Sequence, residues 1–63
     1  MNTIELSLNT GQRFMIRGTL EEVEAAIIAA SRGSIMQFAW LTDQSGERIG
    51  VNPTAVVSIR TAD

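Results

Sequence analysis

Alternation of apolar and polar residues dominates this chain, and one stretch with helical periodicity interrupts it. Apolar residues occupy every second position in four segments: 3–8, 13–17, 47–51 and 55–60. This period of two is typical of strands with one buried face. Asn9–Gln12 separates the first two segments, and its Gly11 can supply the positive φ that a short hairpin loop requires. The first two strands are therefore predicted to form a hairpin.

Helix signals follow the hairpin. Thr19 and Glu22 have the spacing of a capping box, in which each side chain binds the other residue's backbone N–H. The helix is predicted from Leu20 to Ser31 or Arg32. At 100° per residue its buried stripe consists of Leu20, Val23, Ile27 and Ala30. Ile28 lies away from that stripe and is expected to be under-buried in a monomer.

The segment 35–42 is the most hydrophobic strand, with apolar residues on both sides. Such a strand usually lies at the centre of a sheet. Gln37 interrupts one of the two sides, so the opposite side is predicted to face the helix: Met36, Phe38 and Trp40. Ile35, Ala39 and Leu41 would then point away from the helix. In the next strand Gly50 indicates either a bulge or a close approach by another backbone.

These elements predict a single domain over 1–63 with α+β architecture in the order ββαβββ. One helix would pack on one face of a mostly antiparallel sheet, leaving the other face exposed. We call the latter the outward sheet face. The alternation does not decide whether the sheet stays open or curls toward a barrel.

Size and composition limit how such a domain is stabilised. A chain of 63 residues buries only about 60% of its unfolded surface. It contains no Cys and no His, which excludes disulfides and thiolate metal sites and removes the commonest metal ligand. No metal or cofactor is predicted. Self-association or docking on a larger protein is the remaining way to cover apolar surface, so a homo-oligomer or a protein partner is expected.

No targeting or membrane-spanning signal is visible. The longest apolar run falls far short of the roughly 20 residues of a membrane span. The N-terminal residues lack the basic flank and apolar stretch of a signal peptide. No membrane association is predicted, and a cytoplasmic location is expected.

The same alternation predicts where a partner would bind. It sends four of the five arginines to the outward sheet face, while three glutamates lie on the helix. Arginine mixed with apolar side chains is typical of protein interfaces. The predicted partner-binding residues are Arg13, Met15, Arg17, Ala39, Leu41, Arg48, Val56 and Arg60.

Two other interpretations of this face stay open. The arginines could be ordinary solvated side chains whose stems cover apolar neighbours. They could also follow a nucleic-acid backbone, although single-strand-binding sheets additionally stack bases on exposed aromatic rings. Phe38 and Trp40 are predicted to face the helix. If the third strand were inverted, these rings would join the arginines and favour nucleic-acid binding.

Catalytic chemistry is hard to place on this sequence, and the chain is predicted not to be an enzyme. Asp43 and Glu47 flank a turn and are interpreted as turn residues rather than an acid–base pair. Ser and Thr hydroxyls have no His or Lys to activate them. No catalytic residue is predicted.

The segment from Leu41 to Ile59 resembles the end of small actinobacterial domains. Its Leu-Thr-Asp strand end, Gly turn and Asn-Pro step into a last strand carry the resemblance. A similar strand–Asn-Pro–strand step occurs in FlbD-type flagellar proteins, where it precedes the helix. The matching positions are turn and core residues, so the resemblance implies the architecture and no activity.

Overall fold

The computed structural model describes residues 2–32 and 37–62. It contains one α-helix, one short 3₁₀ helix and five strands in the predicted order ββαβββ. The elements are β1 (Thr3–Leu8), β2 (Arg13–Arg17), α1 (Leu20–Ser31), β3 (Ala39–Thr42), β4 (Arg48–Val51), the 3₁₀ helix (Pro53–Ala55) and β5 (Val56–Thr61). The predicted α+β fold class is confirmed. The placements of Ile35 and Met36 fall outside the described residues.

The strands form two antiparallel sheets, β2-β1-β5 and β3-β4. The sheets meet where Ile16 bridges Asp43 and the Gln44 N–H donates to the Met15 carbonyl over 2.8 Å. The 3₁₀ helix joins β4 to β5, and its Ala55 carbonyl accepts from the Asn9 N–H over 2.8 Å. The two strands that lie away from this junction, β4 and β5, are therefore joined by one short connection.

The predicted capping box and the predicted hairpin loop are both present. Thr19 Oγ1 accepts from the Glu22 N–H over 3.1 Å, and Glu22 Oε1 accepts from the Thr19 N–H over 2.8 Å. Gly18 precedes this capping box with φ +129°, and a Cβ there would stand 3.0 Å from Glu22 Oε1. Gly11 takes φ +90° in the hairpin loop. Local chemistry therefore fixes the hairpin and the start of the helix.

One core lies between α1 and the inward faces of both sheets. Its buried members are Ile4, Leu6, Ile16, Val23, Leu41 and Val51. On the helix, Val23 and Ala30 are buried and Ile27 is half-buried, as predicted. Leu20 was predicted to belong to the buried stripe but is 40% exposed, because it is the first helical residue and lies at the margin of the core. Ile28 is exposed, which confirms its expected position.

The predicted orientation of the third strand is wrong. Ala39 and Leu41 are buried, whereas Phe38 and Trp40 are 59% and 58% exposed. Ala39 pairs with Val51 and Leu41 pairs with Ile49, so the inward sides of the two strands coincide. The helix lies over this side of β3, and Ala39 and Leu41 fill the space beneath it.

Val56, in the last strand, was predicted to lie on the outward sheet face, and this orientation is also wrong. The register between β1 and β5 shifts, so that Ser7 pairs with Ser58 but Leu8 pairs with Val56. The extra residue, Val57, is 67% exposed, while Val56 packs against the core. Because a bulge reverses the alternation on one side of it, Val56 points inward and Val57 outward.

Candidate interaction surface

The outward sheet face differs from the predicted surface in its apolar members. Five of the eight predicted partner-binding residues occupy it: Arg13, Met15, Arg17, Arg48 and Arg60. Ala39, Leu41 and Val56 belong to the core instead. Phe38, Trp40 and Glu5 take part in the surface but were not predicted to do so. The residues divide between two clusters, one on each sheet.

The first cluster, which we call the aromatic patch, consists of Phe38 and Trp40 over Gly50. The two ring centroids lie 6.2 Å apart with an interplanar angle of 63°, an edge-to-face arrangement. Trp40 is the cross-strand partner of Gly50. A Cβ on Gly50 would come within 3.1 Å of indole Cη2 and Cζ3 and within 3.3 Å of Phe38 Cβ. The indole therefore lies across the bare backbone of β4 and keeps its other side in solvent.

Two arginines adjoin the aromatic patch. Arg48 pairs with Thr42 and is thus the diagonal neighbour of Trp40, a relation that spans about 7–8 Å in an antiparallel ladder. The bridge between Ile16 and Asp43 places Arg17 next to Thr42 in the adjoining sheet. Arg17 Nη2 donates to the Gln44 carbonyl over 3.2 Å, so its guanidinium lies against the turn between β3 and β4.

That turn is held by Asp43. Its Oδ1 accepts from the Ser45 hydroxyl over 2.7 Å, the Glu47 N–H over 2.9 Å and the Ser45 N–H over 3.0 Å. The Ser45 hydroxyl, followed by the Glu47 N–H, holds the pKa of the Asp43 carboxyl below its ordinary value. The predicted role of Asp43 in the turn is confirmed, and the turn positions Arg17 and Arg48.

The second cluster, which we call the Glu5 cluster, lies at the centre of the three-stranded sheet. Glu5 faces Met15 on β2 and Arg60 on β5. Arg60 Nε donates to Glu5 Oε1 over 2.5 Å, and Arg13 Nη1 lies 3.6 Å from Glu5 Oε2. The Glu5 side chain is only 8% exposed, whereas those of Arg13 and Arg60 are 66% and 71% exposed.

The sequence contained a signal for the Glu5 cluster. Glu5 is the one acidic residue at an outward position of the first strand, and a strand paired on both sides brings cross-strand neighbours over such a position. Arg60 reaches Glu5 only because β1 and β5 are neighbours. That pairing was not predicted from the sequence.

Comparison with protein-family models, curated proteins and solved structures finds no match for this chain. The resemblance to actinobacterial domains stays a prediction. Among residues 2–32 and 37–62, no helix is long and apolar enough to span a bilayer. Within the same residues, no three acidic side chains come together as a metal-binding group.

Proposed function

We propose that this protein is a non-enzymatic module that docks on a protein partner through its outward sheet face, with the aromatic patch as the anchor. The exposure of Phe38 and Trp40 carries the proposal. Covering a large apolar side chain yields about 1.5–3 kcal/mol, and these two rings leave more than half of that area in water. This apolar area stays in contact with water in the folded monomer, so a partner that covers it gains binding free energy.

The residue types around the patch support a protein interface. Trp and Arg are enriched among the residues that dominate binding energy in interfaces. Arg48 lies diagonal to Trp40, and Arg17 is held nearby by the Gln44 carbonyl. A rigid aromatic group loses little conformational entropy on binding, and the backbone of Gly50 already restricts the Trp40 indole.

The charge of this face favours a different protein over a second copy. Among residues 2–32 and 37–62 it carries four arginines and one carboxylate, that of Glu5, while Glu21, Glu22 and Glu24 are exposed on the helix. A two-fold symmetric dimer would bring the same patch of both copies together. Like charges facing each other across an interface are unfavourable, so we propose a heterologous partner.

A non-enzymatic role is supported by what three of the described carboxylates do. Asp43 holds a turn, Glu22 caps the helix and Glu5 binds two arginines. Each of these groups has a structural partner, and no His or Cys accompanies them in the sequence. A cytoplasmic location stays the expectation from the sequence.

The proposal is tested by affinity capture from the native host with three forms of the protein: wild type, Trp40→Ala and Ile28→Ala. Ile28 is also an exposed apolar residue, but it lies on the helix, so its variant is the matched control. We expect a protein that is retained by wild type and Ile28→Ala and lost with Trp40→Ala. Equal retention by all three forms would exclude the aromatic patch as the docking site. Sedimentation of the isolated protein over a range of concentrations tests self-association separately.

Single-stranded nucleic acid is the second candidate, and the outward orientation of Phe38 and Trp40 favours it. Exposed aromatic rings beside arginines are the elements that stack bases and contact phosphates. Trp40 is the only tryptophan, so its fluorescence reports directly on stacking. Quenching by oligothymidylate that weakens steeply with salt would support this candidate. Unchanged fluorescence at low salt would exclude it.

A further inference from the structure

Glu5 occupies a position where a carboxylate is unfavourable for stability alone. It lies mid-strand in β1, which is paired on both sides, and only 7% of the residue is exposed. Glutamate is depleted in strands. Replacing a buried ion pair by apolar residues of similar volume is often neutral or stabilising. The carboxylate is therefore better explained by what it does to the arginines above it.

Glu5 brings two guanidinium groups together from opposite sides of β1. Arg60 uses Nε for Glu5 Oε1, and Arg13 approaches Glu5 Oε2 with Nη1. Within the described residues, neither Nη group of Arg60 has a protein acceptor. Both side chains remain about two-thirds exposed. The result is a pair of guanidinium groups that share one carboxylate and keep further N–H donors exposed to solvent.

We propose that Arg13 and Arg60, positioned by Glu5, form an anion-binding pair for a carboxylate side chain in an acidic segment of the protein partner. This inference rests on the proposed docking function and names the chemistry of its partner. Planar guanidinium groups bind carboxylates through paired N–H donors. Because Glu5 offsets one of the two positive charges, the pair has a net charge of +1, which one carboxylate neutralises.

A protein carboxylate fits this cluster better than a phosphodiester chain does. A nucleic-acid strand is bound by a row of uncompensated cations along its backbone. Here a carboxylate stands between the two arginines, and the whole chain has a net charge of −2. That charge repels a polyanion at long range more strongly than it repels a short acidic segment.

Side-chain NMR of the arginine Nε–H groups tests the inference. The probes are a synthetic peptide in which glutamate alternates with serine and a counterpart with glutamine in place of glutamate. We expect the acidic peptide to shift the Arg13 and Arg60 signals, the glutamine peptide to leave them unchanged, and the Arg32 signal at the end of the helix to respond to neither. Equal shifts with both peptides, or a shift of Arg32 as large as those of the pair, would overturn the inference.

Variants separate binding from structure. Arg60→Gln and Arg13→Gln are each expected to lower the affinity for the acidic peptide about threefold or more. Arg32→Gln is expected to leave that affinity unchanged. Glu5→Val keeps a strand-favouring side chain and is expected to remain folded, but it raises the net charge of the pair from +1 to +2. Its preference for the acidic peptide over oligothymidylate is therefore expected to be lost, because the uncompensated cations favour a polyanion. A folded Glu5→Val protein with unchanged preference would show that Glu5 has only a structural role.

The outcome also distinguishes this inference from the docking proposal. If Trp40→Ala abolishes partner capture while the two arginine variants bind the acidic peptide as wild type does, the docking function stands and the carboxylate pair is wrong. Oligothymidylate could displace the acidic peptide at an equal concentration of negative charge, and its binding could weaken more steeply with salt than that of the peptide. This result would overturn the inference in favour of nucleic acid.

Discussion

The indole of Trp40 lies across Gly50, where a Cβ on the glycine would stand only 3.1 Å from two carbons of the ring. The two residues are direct cross-strand partners between β3 and β4. Gly50 does not have a positive φ, so backbone conformation does not require a glycine here. The glycine is explained instead by the close approach of the aromatic patch, which was not one of the two predicted reasons.

The first prediction concerns Gly50→Ala. The new methyl group would stand about 3.1 Å from the indole, so the half-exposed ring must shift. Moving a side chain off its preferred rotamer costs about 0.5–1.5 kcal/mol, and we expect a loss of unfolding free energy in that range. In a Trp40→Ala background the ring is absent, so the same substitution is expected to be neutral or to stabilise by up to about 1 kcal/mol. Urea unfolding followed by circular dichroism measures all four proteins of this cycle. The same cost in both backgrounds would contradict the role of Trp40.

The second prediction separates core from surface leucines. Leu41→Ala removes a buried side chain, and we expect a loss of about 2–5 kcal/mol, enough to unfold much of the population in a domain this small. Leu20→Ala, at a position that is 40% exposed, is expected to change stability by less than about 1 kcal/mol. Thermal unfolding by circular dichroism compares them. Similar stability for both variants would argue that the third strand faces the other way.

The third prediction tests the capping box. Thr19→Ala removes the hydroxyl that accepts from the Glu22 N–H, which costs about 1 kcal/mol at a helix N-cap. For a domain of this size that corresponds to a decrease in Tm of about 4–8 °C. Thr19→Ser keeps the acceptor and serves as the control. An unchanged Tm for Thr19→Ala would show that the cap is not formed in solution.

The fourth prediction concerns acid. The pKa of Asp43 is lower in the folded protein than in the unfolded chain, chiefly because the Ser45 hydroxyl donates to its carboxylate. A lowered pKa contributes stability that is present above the unfolded pKa and is lost as the pH falls through the folded pKa. We therefore expect the contribution of Asp43 to disappear below about pH 4.

Asp43→Asn provides the matched comparison because its side-chain oxygen keeps the acceptor position without titrating. Its stability is expected to depend less on pH below about 4 than that of wild type. NMR titration of the Asp43 carboxyl carbon measures the pKa directly. A midpoint at or above the ordinary value for aspartate would contradict this account.

The sequence by itself determined every element that depends on local chemistry. The alternation in 3–8 and 13–17, the turn at Gly11 and the capping box at Thr19 led to a hairpin followed by a helix, and the structure confirms each of them. Three of the arginines, Arg13, Arg17 and Arg60, share the outward face of the three-stranded sheet as expected, because a period of two leaves only one choice once the opposite side is apolar.

Tertiary structure alone decided the remainder of the surface. The segment around β3 is apolar on both sides, so its alternation fits either orientation equally well. The choice was made by its partner strand, where Gly50 accommodates Trp40, and by the helix, which covers Ala39 and Leu41. A bulge against β1 likewise turned Val56 inward. Both outcomes depend on contacts between residues far apart in sequence, and no local pattern encodes them.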